Sequence, residues 1–208
     1  MDYIIEKLLI LPGILIGLSF HEYAHAKVAY MLGDPTAKNM GRVSLNPAVH
    51  FSVPGFLCLL LVGFGWGKPV MVNSFNFRNR RRDEFLVSAS GITMNFIMAI
   101  TFAGLLKLIF ILLGAQINSE MGQIATTMIV GIISINLSLM IFNLIPVPPL
   151  DGFNMLTEIF NIRNTKLFNS LYNYGPLILI ALIVLNVTDL ILSPAIGFFY
   201  TFIMSIFF

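Results

Sequence analysis

The chain has 208 residues, of which 57% are hydrophobic and only 11% are charged. Soluble domains carry about 25% charged residues, so this composition excludes a soluble globular protein and indicates an integral membrane protein. The 12 Lys and Arg residues nearly balance the 10 Asp and Glu residues, and a net charge of +2 gives no reason to expect nucleic acid as a partner.

The first apolar segment, residues 4–32, is long enough to cross a hydrocarbon layer of ~30 Å. Lys27, Lys38 and Arg42 lie near its far end, and the positive-inside rule therefore predicts that this end is cytoplasmic. No flexible linker, internal repeat or long polar stretch interrupts the chain, so we expect residues 1–208 to form a single membrane domain.

A metal-binding pattern, His21-Glu22-x-x-His25, lies within this first segment. Two residues four positions apart share one face of a helix, so both imidazoles can bind one metal ion. Glu22, one position further round, can then act as general base on a water bound to that ion. The alternative is a pair of ordinary helix histidines, but ionisable residues within a membrane are costly and usually have a function.

Residues 51–67 are apolar but broken by Pro54 and several glycines, and the basic cluster Arg78–Arg82 follows them. A full crossing would place that cluster outside the cell, so we expect residues 51–67 to enter the membrane and return on the same side. Residues Lys68–Asn73 read as a short strand, half of a β-hairpin. His50 is either an interfacial histidine or a site residue, and we do not assign it to the metal.

The rest of the chain predicts an all-α polytopic membrane protein with about four to five transmembrane helices plus the re-entrant segment and its short β-hairpin. We expect crossings at residues 84–113, 123–145 and 176–192, a cytoplasmic helix and loop at 153–170, and a break at Ser193-Pro194 before an interfacial or half-inserted tail at 195–208.

A second informative stretch runs from Asn143 to Gly152, where three prolines in four residues prevent a helix. Asp151 follows them at the expected start of the next helix. Asp151 can be a helix N-cap. It can also be the third ligand of the His pair, because two His and one carboxylate leave the fourth position of zinc open for water, as catalysis requires.

Together the two motifs resemble those of the site-2 protease family of intramembrane zinc metalloproteases. The similarity extends from Phe20 to Gly152 and includes Gly41-Arg42, Leu45-Asn46-Pro47, His50, Gly65-Trp66, Lys68-Pro69-Val70, Arg81-Arg82 and Gly91 to Asn95. The chain resembles a compact branch of the family, without PDZ or CBS domains. It departs from the family at Ser52, where Asp is frequent, and at Ile92, where Pro is frequent.

The resemblance implies hydrolysis of peptide bonds within or near transmembrane segments of membrane protein substrates. It implies one zinc ion per chain, bound by His21, His25 and Asp151, with Glu22 as general base. Asn95 is a candidate catalytic residue that stabilises the oxyanion or holds substrate backbone; alternatively, it bridges two helices. We expect a multi-pass protein of the cell membrane, surrounded by the lipid bilayer, with its active site nearer the cytoplasmic side.

A helical substrate must unwind before it is cut, and adding it as a strand to the edge at Lys68–Asn73 would give its freed backbone groups partners. This idea predicts that Val70→Pro and Val72→Pro both reduce cleavage. Two other functions remain as alternatives. A membrane metal transporter would need further ligand clusters along a path, and a non-cleaving, protease-like client-binding protein would leave Glu22 without a purpose.

Overall fold

The computed structural model describes residues 3–62 and 65–208, and within these two ranges it contains helices and no β-strand. The α-helices are α1 (Tyr3–Met31), α2 (Thr36–Asn39), α3 (Pro47–His50), α4 (Val53–Val62), α5 (Arg80–Leu113), α6 (Glu120–Leu144), α7 (Asp151–Phe160), α8 (Lys166–Val184) and α9 (Val187–Phe207). Short 3-10 turns cover Ser74–Asn76 and Gly114–Asn118.

Four of these helices, α5, α6, α8 and α9, are long and apolar enough to cross a membrane. The all-α, polytopic prediction is therefore confirmed. The helix that carries the His motif, α1, is continuous over 29 residues and packs against both α5 and α6. Its predicted crossing at residues 4–32 stays a prediction.

The main apolar core lies where α5, α6 and α9 meet, around the fully buried side chains of Ile133, Leu137 and Ile203. Because α1, α5 and α6 pack side by side, polar side chains that point inward from one of them reach the other two. This three-helix contact positions the site described below.

The predicted β-hairpin is wrong. Residues 65–73 belong to no helix or strand, and Gly63 and Phe64 lie outside the described residues. A strand needs a neighbouring strand to receive its backbone hydrogen bonds. Here the N–H groups of Val70 and Asn73 donate to the carboxylates of Glu22 and Asp34 instead. The preceding helix, α4, has ten residues and spans only ~15 Å, too short for a crossing.

The predicted break at Ser193-Pro194 is also wrong, because Pro194 lies inside the continuous helix α9. Proline is tolerated within apolar helices where neighbouring groups satisfy the freed carbonyl. The chain turns earlier, at Leu185 and Asn186, where Asn186 adopts a left-handed conformation with φ +56°. The helix α8 likewise begins at Lys166, within the range predicted as a cytoplasmic helix and loop.

Candidate metal centre

The two histidines of α1 converge on one point. The Nε2 atoms of His21 and His25 lie 3.0 Å apart, and both side chains are buried. The spacing of four residues explains this arrangement, because it places both imidazoles above one another on one helix face.

Asp151 approaches the pair from a different helix. The turn at Pro146, Pro148 and Pro149 ends α6 and delivers Asp151 as the first residue of α7. Its Oδ2 atom lies 3.3 Å from Nε2 of His21 and 3.2 Å from Nε2 of His25. The three ligand atoms lie within 4.8 Å of one another, as a single metal ion requires.

The other ring nitrogen of each histidine already forms a hydrogen bond. The Nδ1–H group of His21 donates to Oδ1 of Asn95 at 2.6 Å, and that of His25 donates to the carbonyl of Val87 at 2.8 Å. Each Nε2 atom of a neutral imidazole then carries a lone pair. Oδ2 of Asp151 is buried and faces the two Nε2 atoms. Three acceptor atoms thus face one another, an arrangement that a bound cation stabilises.

Asn95 connects His21 to a third helix. Its Nδ2 group donates to the carbonyl of Gly17 at 3.1 Å and to Oδ1 of Asn136 at 3.0 Å, while Nδ2 of Asn136 donates to the carbonyl of Ile132. Asn95 and Asn136 are fully buried. The chain of hydrogen bonds ends on backbone carbonyls, which can only accept, so the orientation of both amides is determined.

A close approach of α5 completes the wall of the site. A Cβ atom at Gly91 would lie 2.5 Å from Nε2 of His25 and 2.6 Å from Cε1 of His21. Glycine is therefore required here by contact with the imidazoles. The sequence motif contained this residue, but only the packing of α1 on α5 explains it.

Ion pairs hold α7, and with it Asp151, against α5. The guanidinium of Arg81 donates to the carbonyls of Glu158 and Ile159 at the end of α7. Arg163 forms ion pairs with Glu158, at 2.8 Å, and with Glu84 of α5. A cation at a helix C-terminus is favourable, since that end carries partial negative charge. Burial raises the pKa of Glu158, although the nearby guanidinium groups of Arg80 and Arg81 act in the opposite direction.

Glu22 lies beside this centre, on the wall of a cavity of about 580 Å³. The cavity is lined mainly by apolar side chains, including Leu15, Leu18, Trp66, Leu139, Phe142 and Leu150. His50 also lines it, but its Nε2–H group donates to the carbonyl of Ser44 at 2.7 Å, and it is not part of the metal-binding group found among the described residues. A carboxylate at the edge of an apolar cavity, next to a metal centre, is typical of a hydrolase.

The fold and this centre together define a membrane metalloprotease. The model of Peptidase family M50 matches residues 9–186, and the chain belongs to that family, which confirms the resemblance to site-2 proteases.

Relatives with similar sequences are named as candidate zinc metalloproteases. YwhC of Bacillus subtilis (strain 168) is 33% identical over 182 residues, which cover 87% of this chain and 82% of YwhC. Rip2 of Mycolicibacterium smegmatis is 23% identical over 190 residues, covering 88% of this chain and 70% of the relative. Rip2 of Mycobacterium tuberculosis is 28% identical over 155 residues, which cover 71% of this chain and 56% of the relative. No solved structure matches the chain.

Proposed function

We propose that His21, His25 and Asp151 bind one zinc ion, and that the chain uses it to hydrolyse peptide bonds within or near transmembrane segments of membrane proteins. The observation that carries this proposal is the convergence of three potential ligand atoms, two imidazole nitrogens and one carboxylate oxygen, beside Glu22 and a large apolar cavity. Two His and one carboxylate are a known catalytic zinc set. An apolar cavity suits the side chains of a substrate that comes from the membrane.

When bound, zinc supplies a Lewis acid and lowers the pKa of a coordinated water toward ~7. Glu22 takes a proton from the attacking water and later returns it to the leaving nitrogen. Asn95 and Val87 hold the imidazoles of His21 and His25 so that both Nε2 atoms point to the same place. The apolar walls of the cavity exclude bulk water from the reacting groups.

The orientation of the protein is part of the proposal. The basic residues Arg78, Arg80, Arg81 and Arg82 precede or begin α5, and Lys27 and Lys38 lie near the end of α1. The positive-inside rule supports placing these ends, and the metal centre near them, toward the cytoplasm, most simply in the cell membrane.

Metal removal is the direct test of the proposed function. We expect wild-type protein in detergent to cut a model transmembrane substrate, to lose at least about 100-fold of that activity after dialysis against a chelator, and to recover it with zinc but not with magnesium. Cleavage products and bound zinc are measured on the same samples. Full cleavage by zinc-free protein would contradict the proposal. Zinc flux into liposomes without any cleavage would favour the transporter. Zinc binding without flux and without cleavage would favour the client-binding protein.

The role of Asn95 can be tested separately. The predicted oxyanion role needs a free amide donor, whereas both hydrogens of this amide already bind Gly17 and Asn136. We therefore propose that Asn95 positions His21. Asn95→Ala should weaken zinc affinity by about 10- to 100-fold, and Asn136→Ala, one step further away, by less. Zinc affinity is measured by competition with a chelating dye. Unchanged affinity with reduced turnover would restore the oxyanion role.

A further inference from the structure

The segment at residues 65–73, which belongs to no helix or strand, contacts the proposed general base. The N–H group of Val70 donates to Oε2 of Glu22 at 2.9 Å. Both residues are half-buried, and Glu22 and the neighbouring Pro69 line the same cavity. A backbone donor on one oxygen restricts the rotation of a carboxylate and leaves the other oxygen for a proton.

Arg42 fixes this segment just before Val70. Arg42 is only 4% exposed, and its guanidinium donates to the carbonyls of Val49 and Lys68 and, at 3.2 Å, to that of Pro69. Every one of these partners is a neutral main-chain group. Burying a guanidinium without a carboxylate partner costs free energy, because the charge loses its hydration. The hydrogen bonds of Arg42 connect Val49 of α3 to Lys68 and Pro69 of the segment.

Asp34 fixes the same segment just after Val70. Its Oδ2 atom accepts from the N–H group of Asn73 at 2.7 Å, and its Oδ1 atom accepts from the side chains of Thr36 and Asn76. Burial raises the pKa of Asp34, but these hydrogen bonds lower it, and the pKa lies below its ordinary value. The carboxylate is therefore ionised at neutral pH. A further hydrogen bond, from the N–H group of Lys68 to the carbonyl of His50 at 2.7 Å, ties the segment to α3.

Val70 thus lies between two anchored points, and the direction of its N–H group is determined by them. We propose that Arg42 is a positioning residue for the general base, which holds Lys68 and Pro69 so that the N–H group of Val70 orients the carboxylate of Glu22. This inference rests on the proposed function, since it presumes that Glu22 moves the proton. It differs from the strand-addition idea, in which the segment binds the substrate backbone and both Val70→Pro and Val72→Pro reduce cleavage.

Two proline variants separate the two ideas. Val70→Pro removes the donor to Glu22 while keeping an extended backbone, because residues before and at a proline favour extended conformations. Val72→Pro makes the same change at a position whose N–H group forms no hydrogen bond in the described structure. We expect Val70→Pro to lower kcat by about 100-fold with KM and bound zinc unchanged, since small errors in the placement of a catalytic group have effects of this size. Val72→Pro should stay within about threefold of wild type.

Arg42→Gln tests the anchor itself. We expect kcat to fall by about 10- to 100-fold with zinc retained, and the double variant Arg42→Gln with Val70→Pro to be no worse than Val70→Pro alone, because both changes remove one interaction. Arg42→Lys should recover only part of the activity, since a single ammonium cannot reach carbonyls on both segments as a guanidinium fork does. If Arg42→Gln does not fold, Arg42→Lys tests Arg42, and wild-type kcat in a folded Arg42→Lys variant would contradict its role, while the two proline variants test the contact between Val70 and Glu22.

Several outcomes would overturn the inference. Equal losses of kcat in Val70→Pro and Val72→Pro would favour strand addition. An unchanged kcat in Val70→Pro would show that the hydrogen bond from Val70 to Glu22 does not affect catalysis, and an increased kcat would show that this hydrogen bond restrains Glu22. Additive losses in the double variant would mean that Arg42 acts elsewhere. The proposed function is tested apart from this, by wild-type cleavage and its dependence on zinc in the same assay.

Discussion

Glu22→Gln should abolish cleavage, with a loss of about 1,000-fold or more, while the protein keeps one zinc ion per chain. Glutamine has nearly the same shape, and its amide oxygen can still accept the hydrogen bond from Val70 N–H. It cannot take up a proton from the attacking water, and general acid–base catalysis contributes about 10²- to 10⁴-fold. Glu22 is not among the three converging metal-binding side chains, so zinc affinity should not change.

The matched control is Glu120→Gln, which makes the same chemical change at an exposed position in the first turn of α6. Cleavage of the model substrate and zinc content are measured for wild type and both variants. We expect Glu120→Gln to cut at the wild-type rate. If Glu22→Gln kept more than about a tenth of the wild-type rate, Glu22 would not be the general base and another group would have to move the proton.

The close approach of the two histidines was predictable because its information is local. Helix geometry alone brings His21 and His25 together, and the prolines before Asp151 fix the start of α7. Local geometry does not show which carboxylate reaches the pair, and Asp151 was expected there from the motif after the prolines and from the family resemblance. The structure brings Asp151 to the pair, and this follows from the packing of α7 against α5 through an ion pair and hydrogen bonds between residues far apart in sequence.

The groups that support the centre could not be predicted, because they depend on how three helices are rotated about their axes. Asn95 was identified as a polar residue in a membrane helix, but nothing in its neighbours indicates that it accepts from His21. The sequence neighbours of Asn136 and Arg42 likewise do not indicate which groups these two residues contact. Their roles come from contacts across 41 and 26 residues of sequence, respectively, and no local pattern specifies such contacts.

The hairpin was predicted from β-branched residues, and that signal was misleading. Val70 and Val72 favour an extended backbone, but the segment that contains them belongs to no strand. Whether an extended segment becomes a strand depends on its hydrogen-bond partners. In this protein the partners are side-chain carboxylates of α1 and of the loop after it, and Pro69 has no N–H group to contribute to a ladder.

Gly91→Ala should remove zinc from the protein. The added methyl group would lie 2.5 Å from Nε2 of His25 and 2.6 Å from Cε1 of both imidazoles, closer than any real contact permits. The rings cannot move aside freely, because Asn95 and Val87 hold their Nδ1 atoms. Alanine is favoured over glycine within a helix by about 1 kcal/mol, so α5 itself should not be weakened. We expect zinc affinity to fall by at least about 100-fold and cleavage to be lost with it.

The control for this variant is Gly131→Ala in α6, where the nearest atom to an added Cβ is the carbonyl oxygen of Leu9 at 3.9 Å. Both variants gain the same helix propensity, but only Gly91→Ala changes the space beside the imidazoles. Zinc content, thermal unfolding and cleavage are compared for the two. Folded Gly91→Ala protein that binds zinc as tightly as wild type would mean that the ligands can shift together, and that the close approach of α5 does not define the centre.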